Sequence, residues 1–379
     1  MFKYENDSRK VKEGQTFIAI KGLTVDGHNY IDKAISNGAS HIISEIDLDI
    51  NIPYTKVNDT SEYQREILVK EYGEIINKLK IIGVTGTNGK TTSCFLIYQM
   101  LRNLGINAAY IGTIGFYHND KFIELNNTTP DILVLYQLLY SAYNDGCEVV
   151  VMEVSSQALS YNRLHGINFD IIGFTNFTED HLDYHKTMEN YLEAKKLILN
   201  HLDKDAIICV NKDDAYHNSF NTNKHKFITF GNDGDYKIVS YSTTPKDTDL
   251  VFEYDGTLYN VTIPLTSKFN VYNFLTMLSI LNQYGFDINS LLEKTELLKN
   301  YQKIQDKENL LIKKVDKSTF YKLVMTRFLL FSVYTILVDY AEKISGLELN
   351  GLSTVGLYGS SRGYTIVNFI LLYIIGEDQ

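Results

Sequence analysis

The segment VTGTNGKTT at residues 84–92 constrains this 379-residue chain more than any other. It follows an apolar run at residues 80–84 and precedes residues 91–104, where apolar side chains recur at helical spacing. A glycine-containing loop between a buried strand and a helix suits phosphate binding, because backbone N–H groups and the helix N-terminus face the anion. The sequence therefore predicts a phosphate-binding loop inside an α/β sheet.

The residue types in this loop indicate a nucleotide site. Lys90 would reach the β- and γ-phosphates, and the Thr91 hydroxyl would hold Mg²⁺. The strict pattern places glycine at position 84, where this chain has Val84, and a plain strand-to-helix turn with a surface lysine is the alternative. The predicted nucleotide-binding residues of the loop are Gly86, Thr87, Asn88, Gly89, Lys90, Thr91 and Thr92.

Short apolar runs alternate with helical patterns along most of the chain, which is typical of a parallel α/β sheet. Residues 1–79 are predicted to form a small α/β domain with strands at 16–20 and 41–44 and a helix at 30–37. Residues 80–299 are predicted to form a larger, mostly parallel domain, followed by residues 300–379. The elements predicted in the larger domain are strands at 80–84, 148–154, 170–176 and 206–210, an antiparallel excursion at 222–264, and helices at 91–104 and 272–283.

Charge and composition exclude several classes of protein. A net charge of −10 disfavours binding of nucleic acid by a general positive field. The three cysteines lie far apart, which predicts neither a disulfide framework nor a zinc site. The N-terminus lacks an apolar signal segment, and the apolar runs at 328–338 and 365–375 are shorter than the about 20 residues that span a bilayer. We predict a cytoplasmic monomer without membrane insertion.

Two longer blocks carry a family resemblance. The first is MEVSSQAL at 152–159 with Arg163 after it, and the second is TNFTEDHLDYH at 175–185 with MENY and EAK following. Together with the TGTNGKT loop, they resemble the Mur ligase family, and specifically its MurE type. Further similarity lies in DSRKV at 7–11, KGLTVDG at 21–27, NTTP at 127–130 and FNVYN at 269–273, so that the resemblance covers residues 5–290.

The resemblance implies an ATP-dependent amide ligase of peptidoglycan biosynthesis that uses Mg²⁺. In that reaction the D-Glu γ-carboxylate of UDP-MurNAc-L-Ala-D-Glu attacks the γ-phosphate of ATP, and the amine of meso-diaminopimelate or L-lysine displaces phosphate from the acyl phosphate. Such catalysis rests on positioning and charge neutralisation.

Four residues are predicted to bind metal: Thr91, Glu153, His181 and Lys195. Glu153 and His181 lie at the ends of predicted strands, where side chains of an α/β sheet face the ligand crevice. A lone histidine is often structural, and Lys195 would ordinarily be a solvated lysine on a helix. The resemblance instead implies that Lys195 is carbamylated, which requires a neutral amine. Lys90, Lys195 and His181 are the predicted catalytic residues.

The resemblance also implies contacts for the remaining parts of the substrates. Asn270 and Asn273 would lie on the adenine side, although exposed amides on a helix are the alternative. Arg163 offers the bidentate fork that suits pyrophosphate or a carboxylate. The predicted residues for the UDP-linked precursor are Ser8, Leu23, Thr24, Val25, Thr128, Thr129, Ser155 and Arg163.

Residues 300–379 resemble the family less. VDYAEKISGLE at 338–348 is similar to a family motif that has histidine where this chain has Glu342, and LYGSSRG at 357–363 is faintly similar to the next strand and loop. These residues are predicted to be a shortened remnant of a Rossmann-like domain that grips the incoming amino acid. The alternative function is therefore a catalytically impaired remnant that binds only nucleotide and UDP-precursor.

One rival interpretation uses NKDD at residues 211–214, which fits the Asn-Lys-x-Asp guanine motif of GTPases. The rest of the GTPase motif set is not placed where a GTPase would need it. A strand followed by a polar turn is the favoured interpretation of this segment.

Overall fold

A computed structural model describes residues 2–22, 25–119 and 121–298 of the chain. The predicted remnant at 300–379 lies outside these residues, as do the substrate-binding predictions for Leu23 and Thr24. In the described part of the chain, no helix is both long enough and apolar enough to cross a membrane.

The N-terminal residues form a four-stranded sheet whose strands all run parallel. A 3-10 turn at Gly27–Tyr30 leads into its first helix. The predicted strands at 16–20 and 41–44 and the predicted helix at 30–37 are confirmed, with slightly different ends. In spatial order the strands are β1 (Tyr4–Glu5), β2 (Thr16–Ile18), β3 (His41–Ser44) and β4 (Tyr54–Lys56), and the helices are α1 (Ile31–Ser36) and α2 (Thr60–Ile76).

The long helix α2 was not predicted. It begins at Asp59, whose carboxylate accepts from the backbone N–H of Glu62 at 2.8 Å, a regular N-terminal cap. Leu68 and Ile76 on α2 are fully buried and belong to the large hydrophobic core that extends into the rest of the chain. The small sheet is therefore attached to the larger part of the molecule through a shared core.

The remaining described residues form an eleven-stranded sheet in the order β15-β14-β13-β12-β11-β10-β5-β9-β6-β7-β8. Its strands are β5 (Lys80–Thr85), β6 (Ala108–Gly112), β7 (Gly115–His118), β8 (Lys121–Ile123), β9 (Val149–Glu153), β10 (Phe169–Phe174), β11 (Leu202–Asn211), β12 (Lys226–Gly231), β13 (Tyr236–Thr243), β14 (Thr248–Tyr254) and β15 (Thr257–Ile263).

The pairs from β13 through β6 are parallel, and antiparallel strands flank them at both edges. The predicted mostly parallel α/β class is confirmed. The prediction of an antiparallel excursion at 222–264 is correct for the β13–β14 and β14–β15 pairs but wrong for Lys226–Gly231, which continues the parallel sheet. The connection between β11 and β12 is long enough for a crossover, which parallel pairing requires. Within it, the 3-10 turn His217–Phe220 packs Phe220 against Phe174, with ring centroids 4.1 Å apart.

Helices cover the sheet. The phosphate loop lies near the middle of the sheet because of the order of the strands. The loop strand β5 lies between β9 and β10, so the carboxyl ends of these parallel strands meet at one edge. Cys94, Cys147 and Cys209 are buried with free thiols, as the spacing of the cysteines predicts. The helices are α3 (Lys90–Asn103), α4 (Ile132–Asn144), α5 (Ser156–Ser160), α6 (Leu182–His185), α7 (Met188–Lys196), α8 (Lys268–Tyr284) and α9 (Ile288–Glu293).

Candidate active site at the carboxyl ends of the central strands

The phosphate loop connects β5 to α3 through residues 86–89. Gly86 and Gly89 have φ values of 146° and 84°, a region that residues with a Cβ atom rarely adopt. Space adds a second requirement, since a Cβ atom would lie 2.0 Å from the Thr175 hydroxyl oxygen at Gly86 and 2.3 Å from the Asn273 amide oxygen at Gly89. Both positions therefore need glycine.

Two lysines converge on this loop. Lys90 Nζ donates to the carbonyl oxygens of Gly86 at 2.9 Å and Thr87 at 2.8 Å, and Lys195 Nζ donates to Gly86 at 2.8 Å. Lys195 is only 1% exposed, and its Nζ lies 4.4 Å from the centre of the Tyr191 ring. Lys195 is therefore not the solvated surface lysine that its helix would suggest.

Burial lowers the pKa of both amines. For Lys90 the effect of burial is opposed by the charges of Glu153 and Asp180. For Lys195 burial acts first and the positive charge of Lys90 second, and together they bring its pKa well below the ordinary 10.5. The site therefore favours the neutral form of the Lys195 amine.

Glu153 ends strand β9 and is completely buried. Its Oε1 accepts from the Tyr110 hydroxyl at 2.5 Å and from the Thr113 backbone N–H at 2.8 Å. Its Oε2 accepts from the Thr91 hydroxyl at 2.8 Å. The carboxylate is thus fixed beside the first turn of α3. Burial and the neighbouring Glu153 raise the pKa of Tyr110, which keeps that hydroxyl a donor.

The Thr91 hydroxyl and the Glu153 carboxylate form an oxygen pair that suits Mg²⁺, which proteins usually hold with one or two oxygen ligands while water and phosphate complete the shell. His181 lies on the same cavity, with a left-handed φ of 53° and a side chain that is 46% exposed. Among the described residues, no three His, Cys, Asp or Glu side chains are grouped closely enough to hold a metal by themselves. Metal ligation by His181 and Lys195 stays a prediction.

Arg163 also lines the cavity, next to the loop that precedes α4. Its Nη1 donates to the Thr129 carbonyl at 3.0 Å, and its Nε lies 2.9 Å from Asp131. The Thr129 hydroxyl donates to the Glu153 carbonyl at 2.7 Å and accepts from the Ser155 N–H at 3.0 Å. Thr129 therefore joins the loop before α4 to the end of β9, and Arg163 is held over that junction.

A cavity of about 410 Å³ contains most of the predicted site. Its walls are polar and come from the phosphate loop, the loop before α4, the β9–α5 junction and α7. The predicted site residues that line it are Thr87, Asn88, Gly89, Lys90, Thr91, Thr92, Thr128, Glu153, Ser155, Arg163, His181 and Lys195.

Several predicted residues lie away from the cavity wall. Asn273 packs behind the loop and donates to Asn270 Oδ1 at 3.1 Å, while Asn270 Nδ2 donates to the Thr266 carbonyl at 2.7 Å. Ser8 is buried, and its carbonyl accepts from the Asn37 side chain at the end of α1. Val25 is 55% exposed. Gly86 and Thr129 do not line the cavity, although their chain neighbours Thr87 and Thr128 do, and all these assignments stay predictions.

Six residues of the site were not among the predicted site residues: Tyr110, Thr113, Asn126, Asn127, Ser156 and Gln157. All of them except Tyr110 line the cavity, and Tyr110 orients Glu153. A signal for Thr113 was available, because a Gly-Thr pair after an apolar run resembles the end of a buried strand that faces a crevice. No pattern in the sequence indicated that Tyr110 would reach Glu153.

The side chains of the possible guanine motif at residues 211–214 form hydrogen bonds to other residues of the protein. Asn211 Nδ2 donates to the Thr175 carbonyl at 3.0 Å, and Asp214 Oδ2 accepts from the Phe177 N–H at 2.7 Å. Asp213 accepts from the Tyr272 hydroxyl at 2.8 Å. These contacts confirm the interpretation of a strand followed by a polar turn.

Two family profiles match the chain. Residues 84–281 match the Mur ligase middle domain, and residues 4–78 match the Mur ligase family catalytic domain. A curated relative from Bacillus cereus, UDP-N-acetylmuramoyl-L-alanyl-D-glutamate--2,6-diaminopimelate ligase, is 34% identical in an alignment that covers 96% of this chain and 72% of that protein.

Solved structures show the same fold. A structure of UDP-N-acetylmuramoyl-L-alanyl-D-glutamate--2,6-diaminopimelate ligase is 30% identical with a TM-score of 0.64, and the match covers 78% of this chain and 62% of that chain. MurF ligase from Thermotoga maritima in complex with ADP matches with a TM-score of 0.59 at 24% identity, over 76% of this chain and 65% of that one. The match to each solved ligase thus spans less than two thirds of it.

Proposed function

This chain belongs to the Mur ligase family of ATP-dependent amide ligases, and from that premise we propose that it adds an amino acid to UDP-MurNAc-L-Ala-D-Glu in peptidoglycan biosynthesis. The observation that carries this proposal is that one cavity holds the phosphate loop, the Thr91–Glu153 pair and Arg163. We further propose the assignment of residues 1–79 to the precursor and 80–299 to ATP.

The proposed reaction has two steps. The D-Glu γ-carboxylate attacks the γ-phosphate of ATP, which forms an acyl phosphate and releases ADP. The amine of the amino acid then attacks the acyl carbon, loses a proton and displaces inorganic phosphate, so that an amide bond remains. The named curated relative supports 2,6-diaminopimelate as the amino acid, with L-lysine as the alternative.

The polar groups of the cavity suit this chemistry. Lys90 and the N–H groups of residues 86–89 would neutralise charge on the transferring phosphoryl group. Thr91 and Glu153 would hold Mg²⁺, which supplies further charge neutralisation when bound. Arg163 would bind a carboxylate or pyrophosphate of the precursor through its guanidinium fork. Ser8 and residues 23–25 would contact the uridine part.

We also propose that Lys195 is carbamylated. The amine must be neutral to attack CO₂, and burial of Lys195 together with the nearby charge of Lys90 lowers its pKa, which increases the neutral fraction. The resulting carbamate would be an anionic oxygen donor, able to join His181 in holding a second metal ion. Its negative charge would also lie close to Lys90, whose Nζ shares the Gly86 carbonyl oxygen with Lys195.

An assay with defined substrates tests the function. Phosphate release from ATP is measured with UDP-MurNAc-L-Ala-D-Glu, with and without meso-diaminopimelate or L-lysine, and the UDP-tripeptide is identified by mass spectrometry. We expect release that requires both the precursor and one amino acid. Binding of both ligands without any tripeptide would favour the impaired-remnant alternative, and hydrolysis of GTP but not ATP would refute the ligase proposal.

The carbamate is tested by NMR with ¹³C-labelled CO₂. We expect one carbamate signal in the wild type that disappears in Lys195→Met and persists in Lys196→Met, a neighbouring lysine that pairs with Glu193 at the surface. A signal that survives Lys195→Met would contradict the assignment.

A further inference from the structure

Thr113 lies in the turn between β6 and β7, and its side chain faces the cavity. Its hydroxyl oxygen is 3.2 Å from Glu153 Oε2, 3.4 Å from the Thr91 hydroxyl and 3.0 Å from the Thr128 hydroxyl. Thr91 and Glu153 belong to the proposed nucleotide and metal side, whereas Thr128 belongs to the proposed precursor side. One hydroxyl group therefore touches both halves of the site.

The Thr113 hydroxyl cannot be the donor in all three of these contacts. A threonine hydroxyl has one proton, and it can donate either to Glu153 or to Thr128 at any moment. Charge on the Glu153 carboxylate attracts that proton, since hydrogen bonds to ionised groups are about twice as strong as neutral ones. When the proton points to Glu153, the Thr113 oxygen accepts from Thr128.

A purely structural role does not require this hydroxyl. The turn is already fixed to β9 by the Thr113 backbone N–H, which donates to Glu153 Oε1 at 2.8 Å. The Thr113 residue as a whole is exposed. Loss of the hydroxyl should therefore leave the fold intact while it removes the connection between the Glu153 carboxylate and the loop that carries Thr128.

We infer that Thr113 is a positioning residue that couples occupancy of the nucleotide side to affinity on the precursor side. The inference rests on the proposed function, because it assumes that Mg²⁺-nucleotide binds next to Thr91 and Glu153. When these two groups bind the metal and nucleotide, the position of the Thr113 hydroxyl is fixed, and that fixes the Thr128 hydroxyl. The precursor then meets an ordered loop and binds more tightly.

The experiment measures two affinities and their coupling. Dissociation constants for UDP-MurNAc-L-Ala-D-Glu are determined by calorimetry with and without a saturating non-hydrolysable ATP analogue and Mg²⁺. The wild type should bind the precursor about fivefold or more tightly when the analogue is present, within the usual range for coupled sites. Thr113→Val should reduce this ratio to about one, and Thr113→Ser should retain it.

A matched control is Thr262→Val, because the Thr262 hydroxyl also donates to a carboxylate, Asp249, at 2.6 Å but lies on β15 outside the cavity. It should keep the wild-type ratio. The ratio in Thr128→Val should fall as in Thr113→Val, and the double variant should fall no further.

The outcomes separate this inference from the proposed function. Wild-type coupling that persists in Thr113→Val would overturn the inference, as would equal loss of both affinities together with a lowered melting temperature. A wild type that binds both ligands without any coupling would also overturn it and leave the proposed function standing. A wild type that binds no precursor would refute the proposed function itself.

Discussion

The Thr91 hydroxyl donates to a carboxylate oxygen of Glu153 over 2.8 Å. Thr91 and Glu153, the residue pair that could hold Mg²⁺, thus join the start of α3 to the end of β9. The other carboxylate oxygen of Glu153 is held by Tyr110 and by the Thr113 N–H. The metal-facing oxygen is therefore oriented by the fold itself, which is how preorganised sites lower the cost of binding charge.

Removal of this negative charge should abolish most of the activity. In Glu153→Gln the amide carries no charge, and its NH₂ group would face either the donors at Oε1 or the Thr91 hydroxyl. We expect the rate of phosphate release to fall about 100-fold or more, the usual effect of losing a preorganised electrostatic contact. Glu148→Gln, which changes an exposed glutamate just before the same strand, should keep the activity. A rate within a few fold of wild type in Glu153→Gln would contradict the metal assignment.

The guanidinium of Arg163 should matter for the precursor and not for ATP. Arg163→Lys keeps the charge but loses the fork that contacts Thr129 and Asp131. We expect the KM for UDP-MurNAc-L-Ala-D-Glu to rise about 10- to 100-fold, as for loss of a hydrogen bond to a charged group. The KM for ATP should stay unchanged. Arg102→Lys on α3 is the control, because Arg102 donates to Asn107 Oδ1 at 3.2 Å and does not line the cavity.

Two glycines with the same φ value allow the effect of backbone strain to be distinguished from the effect of a steric contact. Gly89 and Gly105 both have a φ of 84°, but a Cβ atom at Gly105 meets nothing within 4 Å, whereas at Gly89 it meets Asn273 Oδ1 at 2.3 Å. Gly105→Ala should cost about 1–2 kcal/mol of unfolding free energy from left-handed strain. Gly89→Ala should cost more and also lose nucleotide binding. Urea denaturation and calorimetry measure both effects, and equal stability losses would contradict the expected contact.

Acid should destabilise the protein partly through His118. Burial lowers the pKa of this histidine against the opposing charge of Asp145, so the unfolded state binds more protons just below pH 6.5. Unfolding free energy should therefore fall as pH is lowered from about 6.5 through the folded-state pKa, with a contribution of at most about 1.4 kcal/mol per pH unit.

The contribution of His118 is isolated by comparison with His118→Gln. His185 and His201 have lowered pKa values from burial too, and they act in the same direction in both proteins. The difference between the two curves of unfolding free energy against pH should therefore report His118 alone. The comparison covers about pH 5 to 7.5, the range around the ordinary pKa of histidine. Parallel curves of unfolding free energy in this range would show that His118 does not contribute.

Local patterns were sufficient for much of this structure. The phosphate loop and the strand that ends at Glu153 follow from short apolar segments close to glycines, and the structure brings both into one cavity with Lys195. The buried environment of Lys195 could not follow from periodicity, because it depends on Tyr191 and Gly86 lying against it in space. Its helix alone predicts a solvated side chain.

The contacts that sequence could not provide are those between distant elements. Tyr110 reaches Glu153 because β6 pairs with β9 in a register that sets Tyr110 opposite Val151. β12 pairs in parallel with β11, and the connection before it packs Phe220 against Phe174, two aromatic rings on separate elements. Both features are set by the arrangement of strands, and no local propensity specifies it.

The central position of β5 has a consequence for the order of folding during synthesis. The strand pairs Lys80 with Val149 on one side and Ile82 with Ile171 on the other, so both neighbours are made much later than the strand itself. Until those residues leave the ribosome, the apolar strand before the phosphate loop lacks its neighbours in the sheet, and we expect it to stay exposed. The nascent chain should gain the ability to bind nucleotide abruptly, once the second neighbour has been translated.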